Sequence, residues 1–423
     1  MKIRFYNARV LTMKENEELF LGEVWTENNR ISYVGPEKKD VKENFDREID
    51  CKQNVLMPGF KNAHTHSGMT AFRSLADDLN LQDWLNTMIF PREAQMTGED
   101  CYELTKLAIL EYLTSGVTAI GDMYLTPETI ADACSEMGMR CVLVSGLNKF
   151  GPAVSVMEER YNNLNGKDEL ISYQMGVHAE YTCSKELLEE VSALIHKYKA
   201  PLGVHMSETA TEVNECVERY GITPPALFAE LGLFDFGGVI YHGVHITNED
   251  MEILKKYNIH VVSNPASNAK LASGIAPISA YLEKDIPVSL GTDGPSSNNC
   301  LDMFREMFLV TALAKIKDND PKAVDAMEVL KMATVNGAHA LNMPDADSLA
   351  EGKLADMIMI DLYQPNMQPL HNICKNIVYS GSKMNVKMTM INGKILYEDG
   401  KFTACDNVDA IYRKANEIKD RLK

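Results

Sequence analysis

Short apolar runs alternate along most of this chain with stretches in which apolar residues recur at helical spacing. Val117 to Ile120, Cys141 to Ser145, Ile171 to Val177, Leu202 to His205, Gly238 to His242, His260 to Ser263 and Val288 to Gly291 read as buried strands. The earlier run Val55 to Phe60, which ends before two histidines, brings the number to eight. Between them lie amphipathic segments such as Ser184 to Lys199, where Leu187, Leu188, Val191, Leu194 and Ile195 share one side behind a capping serine, Ser184. Eight strands each followed by a helix predict an α/β fold, a (β/α)8 TIM barrel, over residues 55–344. A doubly wound open sheet competes with it, but no Gly-x-Gly-x-x-Gly turn follows any of these runs.

The two ends of the chain carry a different pattern. Residues 1–54 and 345–405 hold short alternating runs, among them Ile3 to Tyr6, Glu23 to Trp25 and Ile31 to Val34, broken by turn residues. They predict a small β-sandwich domain assembled from both termini. The methionines of Met357-Ile358-Met359-Ile360 sit in such a run and read as core filling rather than a metal or partner surface. Residues 406–423 form an amphipathic helix with Ile411, Ala415 and Ile418 on one side, which is expected to dock on that small domain rather than on a partner.

Composition narrows the class of partner. The chain has 423 residues, 45% hydrophobic and 24% charged, and no stretch reads as a membrane span or a signal peptide, so a cytoplasmic protein is expected. A net charge of -18 with no basic cluster longer than dipeptides such as Lys38-Lys39 disfavours nucleic acid and anionic membranes. A small neutral or zwitterionic molecule fits better, and a homo-oligomer is left open. Nine cysteines, an odd number with no Cys-x-x-Cys, suggest reduced thiols rather than disulfides or a thiolate metal site.

The candidate chemistry lies where the strands end. His64 and His66 stand two apart, and alternate residues of a strand share a face, so both rings can converge on one ion. The fifth run ends Val204-His205-Met206-Ser207-Glu208, the sixth ends Tyr241-His242-Gly243-Val244-His245, and the eighth ends Gly291-Thr292-Asp293-Gly294. In a barrel these ends share one rim. Six of the ten histidines (His64, His66, His178, His205, His242, His245) fall at such ends. Singly each would read as a hydrogen-bonded core residue; together they are hard to explain as packing. His64, His66, His205 and Asp293 are the expected metal set, suited to one Zn2+ with room for a water, with Fe2+ or Mn2+ also compatible. Glu208 is placed to shuttle protons between that water and a substrate nitrogen, His242 to steady the nucleophile, and Asp293 to accept its proton, while His245 reads as structural.

Met57-Pro58-Gly59-Phe60-Lys61-Asn62-Ala63-His64-Thr65-His66, His205-x-x-Glu208, His242-Gly243-Val244-His245, Gly291-Thr292-Asp293-Gly294 and Gly352-Lys353-Leu354-Ala355-Asp356, in that order, resemble the amidohydrolase superfamily, mononuclear deaminase branch. Two-metal relatives carry a lysine on the fourth strand; here that strand ends Gly176-Val177-His178-Ala179-Glu180, which favours one metal. That segment, with Asp83-Trp84-Leu85 and Pro91-Arg92-Glu93, is similar to methylthioadenosine and S-adenosylhomocysteine deaminases. The resemblance implies zinc-dependent hydrolysis of the exocyclic amine of an adenosine-type nucleoside. Glu93 would then bind the ribose hydroxyls, and His178 and Glu208 would contact the purine ring. Where some relatives carry arginines for the homocysteine carboxylate, this chain has Ser145 and Met157, with Arg160 out of step. Adenosine, 5'-deoxyadenosine or methylthioadenosine should therefore be preferred to S-adenosylhomocysteine. The alternatives are an aminohydrolase of guanine, cytosine or a triazine, and a non-catalytic protein that keeps the fold.

Overall fold

The computed structural model describes residues 1–79 and 81–422. Its centre is a parallel eight-stranded barrel whose neighbours are consecutive in the chain: Phe60–Thr65, Val117–Asp122, Arg140–Val144, Ile171–Ala179, Leu202–Met206, Gly238–His242, Ile259–Ser263 and Val288–Leu290. Helices follow most of these strands, among them Lys185–Tyr198, whose N-cap Ser184 accepts from the Leu187 amide. The eighth strand meets the first through a bridge between Thr65 and Asp293. The Asn62 side chain reinforces it, donating to Thr292 Oγ1 at 2.7 Å and accepting from the Thr292 amide at 2.8 Å. Gly291 permits this closure, since a Cβ there would lie 2.8 Å from both Cβ and the carbonyl oxygen of His64.

The apolar run Val55 to Phe60 is not one strand. Val55–Pro58 belongs to a separate nine-stranded mixed sheet, where it runs parallel to Lys2–Val10 and antiparallel to Met357–Ile360. The first barrel strand begins only at Phe60. Pro58 has no amide hydrogen with which to continue a ladder, and a Cβ at Gly59 would collide with Thr118 at 2.1 Å. The chain therefore switches sheets at this dipeptide. The mixed sheet draws strands from both ends of the chain and buries a core of its own that includes Ile3, Phe5, Val10, Met357, Met359, Met388 and Met390. A buried ion pair ties the two sheets together: Arg140 on the third barrel strand donates to Asp356 at 2.7 and 3.2 Å.

The C-terminal helix Val408–Arg421 does not dock on the small sheet. Ala415, Ile418 and Leu422 pack against Leu104 of the helix Gly98–Thr114 and against Met69 and Phe72 of the turn that follows the first barrel strand. Arg421 completes the contact with an ion pair to Asp100 at 2.5 Å. Its apolar face has to be covered, and the face offered by the barrel helix is both apolar and acid-tipped. The nine cysteines are all unpaired and six are buried. Among the described residues no helix is long and apolar enough to cross a membrane.

Candidate active site

His64 and His66 lie at and just beyond the end of the first barrel strand, His205 in the fifth, His242 at the end of the sixth, and Asp293 just beyond the eighth. All five are at least nine-tenths buried. One ligand atom each from His64, His66 and Asp293 falls within 4.8 Å of the others, and so does one each from His64, His205 and His242. His66 Nε2 is 3.1 Å and His64 Nε2 3.6 Å from Asp293 Oδ1.

The surroundings fix which ring nitrogens face inward. His66 Nδ1 contacts the Met123 carbonyl, and His205 Nδ1 lies 2.8 Å from the His178 carbonyl. A carbonyl can only accept, so Nδ1 carries the proton in both rings and the Nε2 lone pair points to the centre. His64 stacks on Tyr241 at 3.8 Å, yet neither of its buried ring nitrogens has a hydrogen-bond partner. An unmatched buried nitrogen is costly, and a cation shared with His66, His205 and Asp293 would satisfy it. The residues fit a divalent ion. The fourth barrel strand closes with His178-Ala179 and offers no lysine for a second one.

Close packing of these groups shifts their protonation. Burial alone would lower His66, but Asp293 outweighs it and lifts the ring to about 9. Burial likewise would raise Asp293, yet the bond and charge of His66, with His242 and His64, hold it well below the usual carboxylate range. His64 and His205 are pushed well below 6.5, first by burial and then by neighbouring histidines, so both are neutral donors.

Asp293 is held by Ser267 Oγ at 2.6 Å, Ser297 Oγ at 2.9 Å and the Gly294 amide at 2.8 Å. His242 Nδ1 donates to Asn268 Oδ1 at 2.7 Å, which leaves Nε2 facing Glu208 Oε2 at 3.7 Å. Glu208 Oε1 accepts from Ser273 Oγ at 3.2 Å, and the Glu212 carboxylate accepts from the Ser207 and Glu208 amides at 2.7 and 2.8 Å. Burial, aided by Asp293, raises the Glu208 pKa against the pull of His242, Ser273 and His66. His245 donates Nε2–H to the Ser273 carbonyl at 2.7 Å, so it braces the loop that carries the hydroxyl on Glu208. Ser207, His242 and Asp293 all have left-handed backbone, with φ of 53°, 74° and 59°. Such strain in non-glycine residues gathers at functional sites, and here it turns each strand end inward.

Above this floor opens a cavity of about 1200 Å3, mouth included, lined by both His178 and Glu93. His178 packs beside His205 at 4.9 Å between ring centroids, and burial, then the charge of His66, lowers its pKa to about 4. Glu93 ends the short helix Phe90–Glu93 and also lines the cavity, its pKa raised by burial against the opposing influence of Tyr124 and His66. Ser145, Met157 and Arg160 line a third stretch of wall. Sequence reasoning overlooked Ser267, Asn268, Ser273 and Ser297, the residues that orient Asp293, His242 and Glu208. The polar run Ser263-Asn264-Pro265-Ala266-Ser267-Asn268 after an apolar strand was the available signal.

The sequence profile of the Amidohydrolase family matches residues 55–396. Over the full length of both proteins the chain is 38% identical to a 5-methylthioadenosine/S-adenosylhomocysteine deaminase of Thermoanaerobacter pseudethanolicus. It is 40% identical to a 5'-deoxyadenosine deaminase of Methanobrevibacter smithii, with 95% of this chain and 94% of the relative aligned. Among solved structures, an adenosine deaminase from Xanthomonas campestris with bound zinc superposes with a TM-score of 0.94 at 32% identity, covering 99% of this chain and 98% of that one.

Proposed function

The chain belongs to the amidohydrolase family, as a hydrolytic deaminase, and we propose that it removes the 6-amino group of adenosine-type nucleosides to give the inosine analogue and ammonia. The observation that carries this reading is one cavity with two sets of groups. His64, His66, His205 and Asp293 converge in it beside Glu208 and His242, and Glu93 adds a separate carboxylate to its lining. The first set suits hydrolysis of an amidine carbon, and the second offers a carboxylate to a ribose diol.

His64, His66, His205 and Asp293 would hold one divalent ion, Zn2+ by the donor set, with Fe2+ and Mn2+ the other candidates. When bound, that ion supplies a Lewis acid that makes water nucleophilic near neutral pH. Glu208 takes a proton from the attacking water and delivers it to the ring nitrogen beside the amine-bearing carbon, a task its raised pKa suits. His242, fixed through Asn268, holds the oxygen in line and stabilises the charge that develops on it. Asp293, kept ionised by its three hydrogen-bond donors, receives the second proton and passes it to the departing amine, so that ammonia leaves. His178 contacts the purine and Glu93 the ribose hydroxyls.

A panel of adenosine, 5'-deoxyadenosine, methylthioadenosine, S-adenosylhomocysteine, adenine, guanine, cytosine and a melamine-type triazine, scored for ammonia release, tests the proposal. Neutral adenosine nucleosides should lead, and Glu93→Gln should raise KM for them by about tenfold, the worth of a charge-assisted hydrogen bond, without affecting adenine. Faster turnover of a free base or triazine than of any nucleoside would overturn it.

A further inference from the structure

Among the described residues that line the cavity, Arg160 is the one lysine or arginine. It projects from the helix Val154–Leu164 onto the wall formed with Ser145, Pro152, Met157 and Tyr173. Its guanidinium is already engaged: Nε donates to Glu128 Oε1 at 2.7 Å and Nη2 to Oε2 at 3.3 Å. Glu128 lies in the first turn of the neighbouring helix Pro127–Met137, half exposed and next to the lining residue Pro127. The phenol of Tyr173, on the cavity side, feels both charges in opposite senses.

Taking the nucleoside reading as given, we infer that the Glu128–Arg160 pair is a specificity filter for the group attached at the ribose 5' carbon. Glu128 occupies the Nε–Nη2 edge of the guanidinium, one of its two bidentate edges, and offsets the charge that a substrate carboxylate would meet there. A carboxylate-bearing substituent must either displace Glu128, exchanging one ion pair for another, or lie beside it and meet like charge. An uncharged substituent pays neither cost and rests against Met157, Pro152 and Leu147. The position of Glu128 suits this role, since an acid in a first helical turn is favoured by the helix dipole.

The test is the ratio of kcat/KM for a 5'-carboxypropylthio-adenosine to that for methylthioadenosine, with S-adenosylhomocysteine alongside. In Glu128→Gln the ratio should rise by about tenfold, as a free guanidinium gains a charge-assisted pair, and Glu128→Gln/Arg160→Gln should cancel the rise. Glu128→Ala must move it in the same direction, with melting temperature as the check on folding. A ratio that stays within about twofold or falls in both single variants overturns the filter, twofold being a negligible energy. Reduced S-adenosylhomocysteine turnover with no gain for the carboxypropyl compound also overturns it, and shows instead that the pair reads a zwitterion. If the wild type turns over methylthioadenosine but the ratio is static, the filter alone fails; if it turns over no nucleoside, the proposed function fails and takes the filter with it.

Discussion

Replacing Glu208 by glutamine isolates proton transfer from everything else the site does. The side chain is 6% exposed, its Oε1 accepts from Ser273 at 3.2 Å, and its Oε2 lies 3.7 Å from His242 Nε2. Glutamine has the same size, its carbonyl can keep the Ser273 bond, and its amide can donate to the free Nε2 lone pair. Both contacts survive, so stability should change by less than ~1 kcal/mol. What disappears is the proton carrier. The two other carboxyl groups lining the cavity have other work in the proposed mechanism: Asp293 belongs to the metal set and takes the second proton, and Glu93 holds the ribose hydroxyls. General acid–base catalysis contributes about 10²–10⁴-fold, and without an understudy kcat should fall by about 10³ or more, equal to ~4 kcal/mol of barrier. In the wild type the acid limb of kcat/KM should follow Glu208, whose raised pKa means activity is lost as pH falls through it; in Glu208→Gln that limb should be absent. The assay is initial-rate ammonia release from methylthioadenosine with metal content measured by mass spectrometry. A kcat within about tenfold of wild type would refute the proton-carrier role. So would loss of the metal along with activity, which would make Glu208 a ligand.

Removing metal by chelation should abolish ammonia release, and titrating back Zn2+, Fe2+ or Mn2+ should restore it to different extents; His205→Ala should lower bound metal per chain, which elemental analysis checks. Glu306 is fully buried, its carboxyl accepting from the Ala266 amide and from Asn298, and burial raises its pKa from 4.5 to about 8. The folded state therefore holds a proton the unfolded chain has released between pH 4.5 and 8, so this contribution is present below 4.5 and lost as pH rises to 8; wild type minus Glu306→Gln stability should drop by about 3–5 kcal/mol across that window in denaturant titrations. Arg140→Met should cost ~3–5 kcal/mol in chemical unfolding by stranding the Asp356 charge, yet leave KM for methylthioadenosine as it was, because the pair ties the two sheets and lies outside the cavity.

What could be read from the chain alone was whatever leaves a periodic or positional trace. Seven of the eight barrel strands coincide within two residues with apolar runs, because a strand buried on both faces must be apolar throughout. The exception teaches why: the apolar run covers Val55–Pro58 of the other sheet and stops at Phe60, because the first barrel strand carries the buried but polar Lys61, Asn62, His64 and Thr65, so hydropathy picks out the wrong strand and only Pro58-Gly59 marks the crossing. The C-terminal helix shows the same limit one level up, since Ile411, Ala415 and Ile418 declare that a face is covered without saying by what. At the site, His64, His66, His205, His242 and Asp293 were legible because strand ends of a barrel share a rim whatever the intervening loops do. Their supports were not. Asn268, Ser267, Ser273 and Ser297 act from loops whose course depends on tertiary contacts, and a serine or asparagine in a loop carries no signal of which ligand it aims at. The Glu128–Arg160 pair is the sharpest case. From the sequence Arg160 is a cation out of step with a carboxylate grip; in the fold it lines the cavity and is paired with an acid 32 residues away on a neighbouring helix. Whether a charge is free is a property of pairs that no single position records.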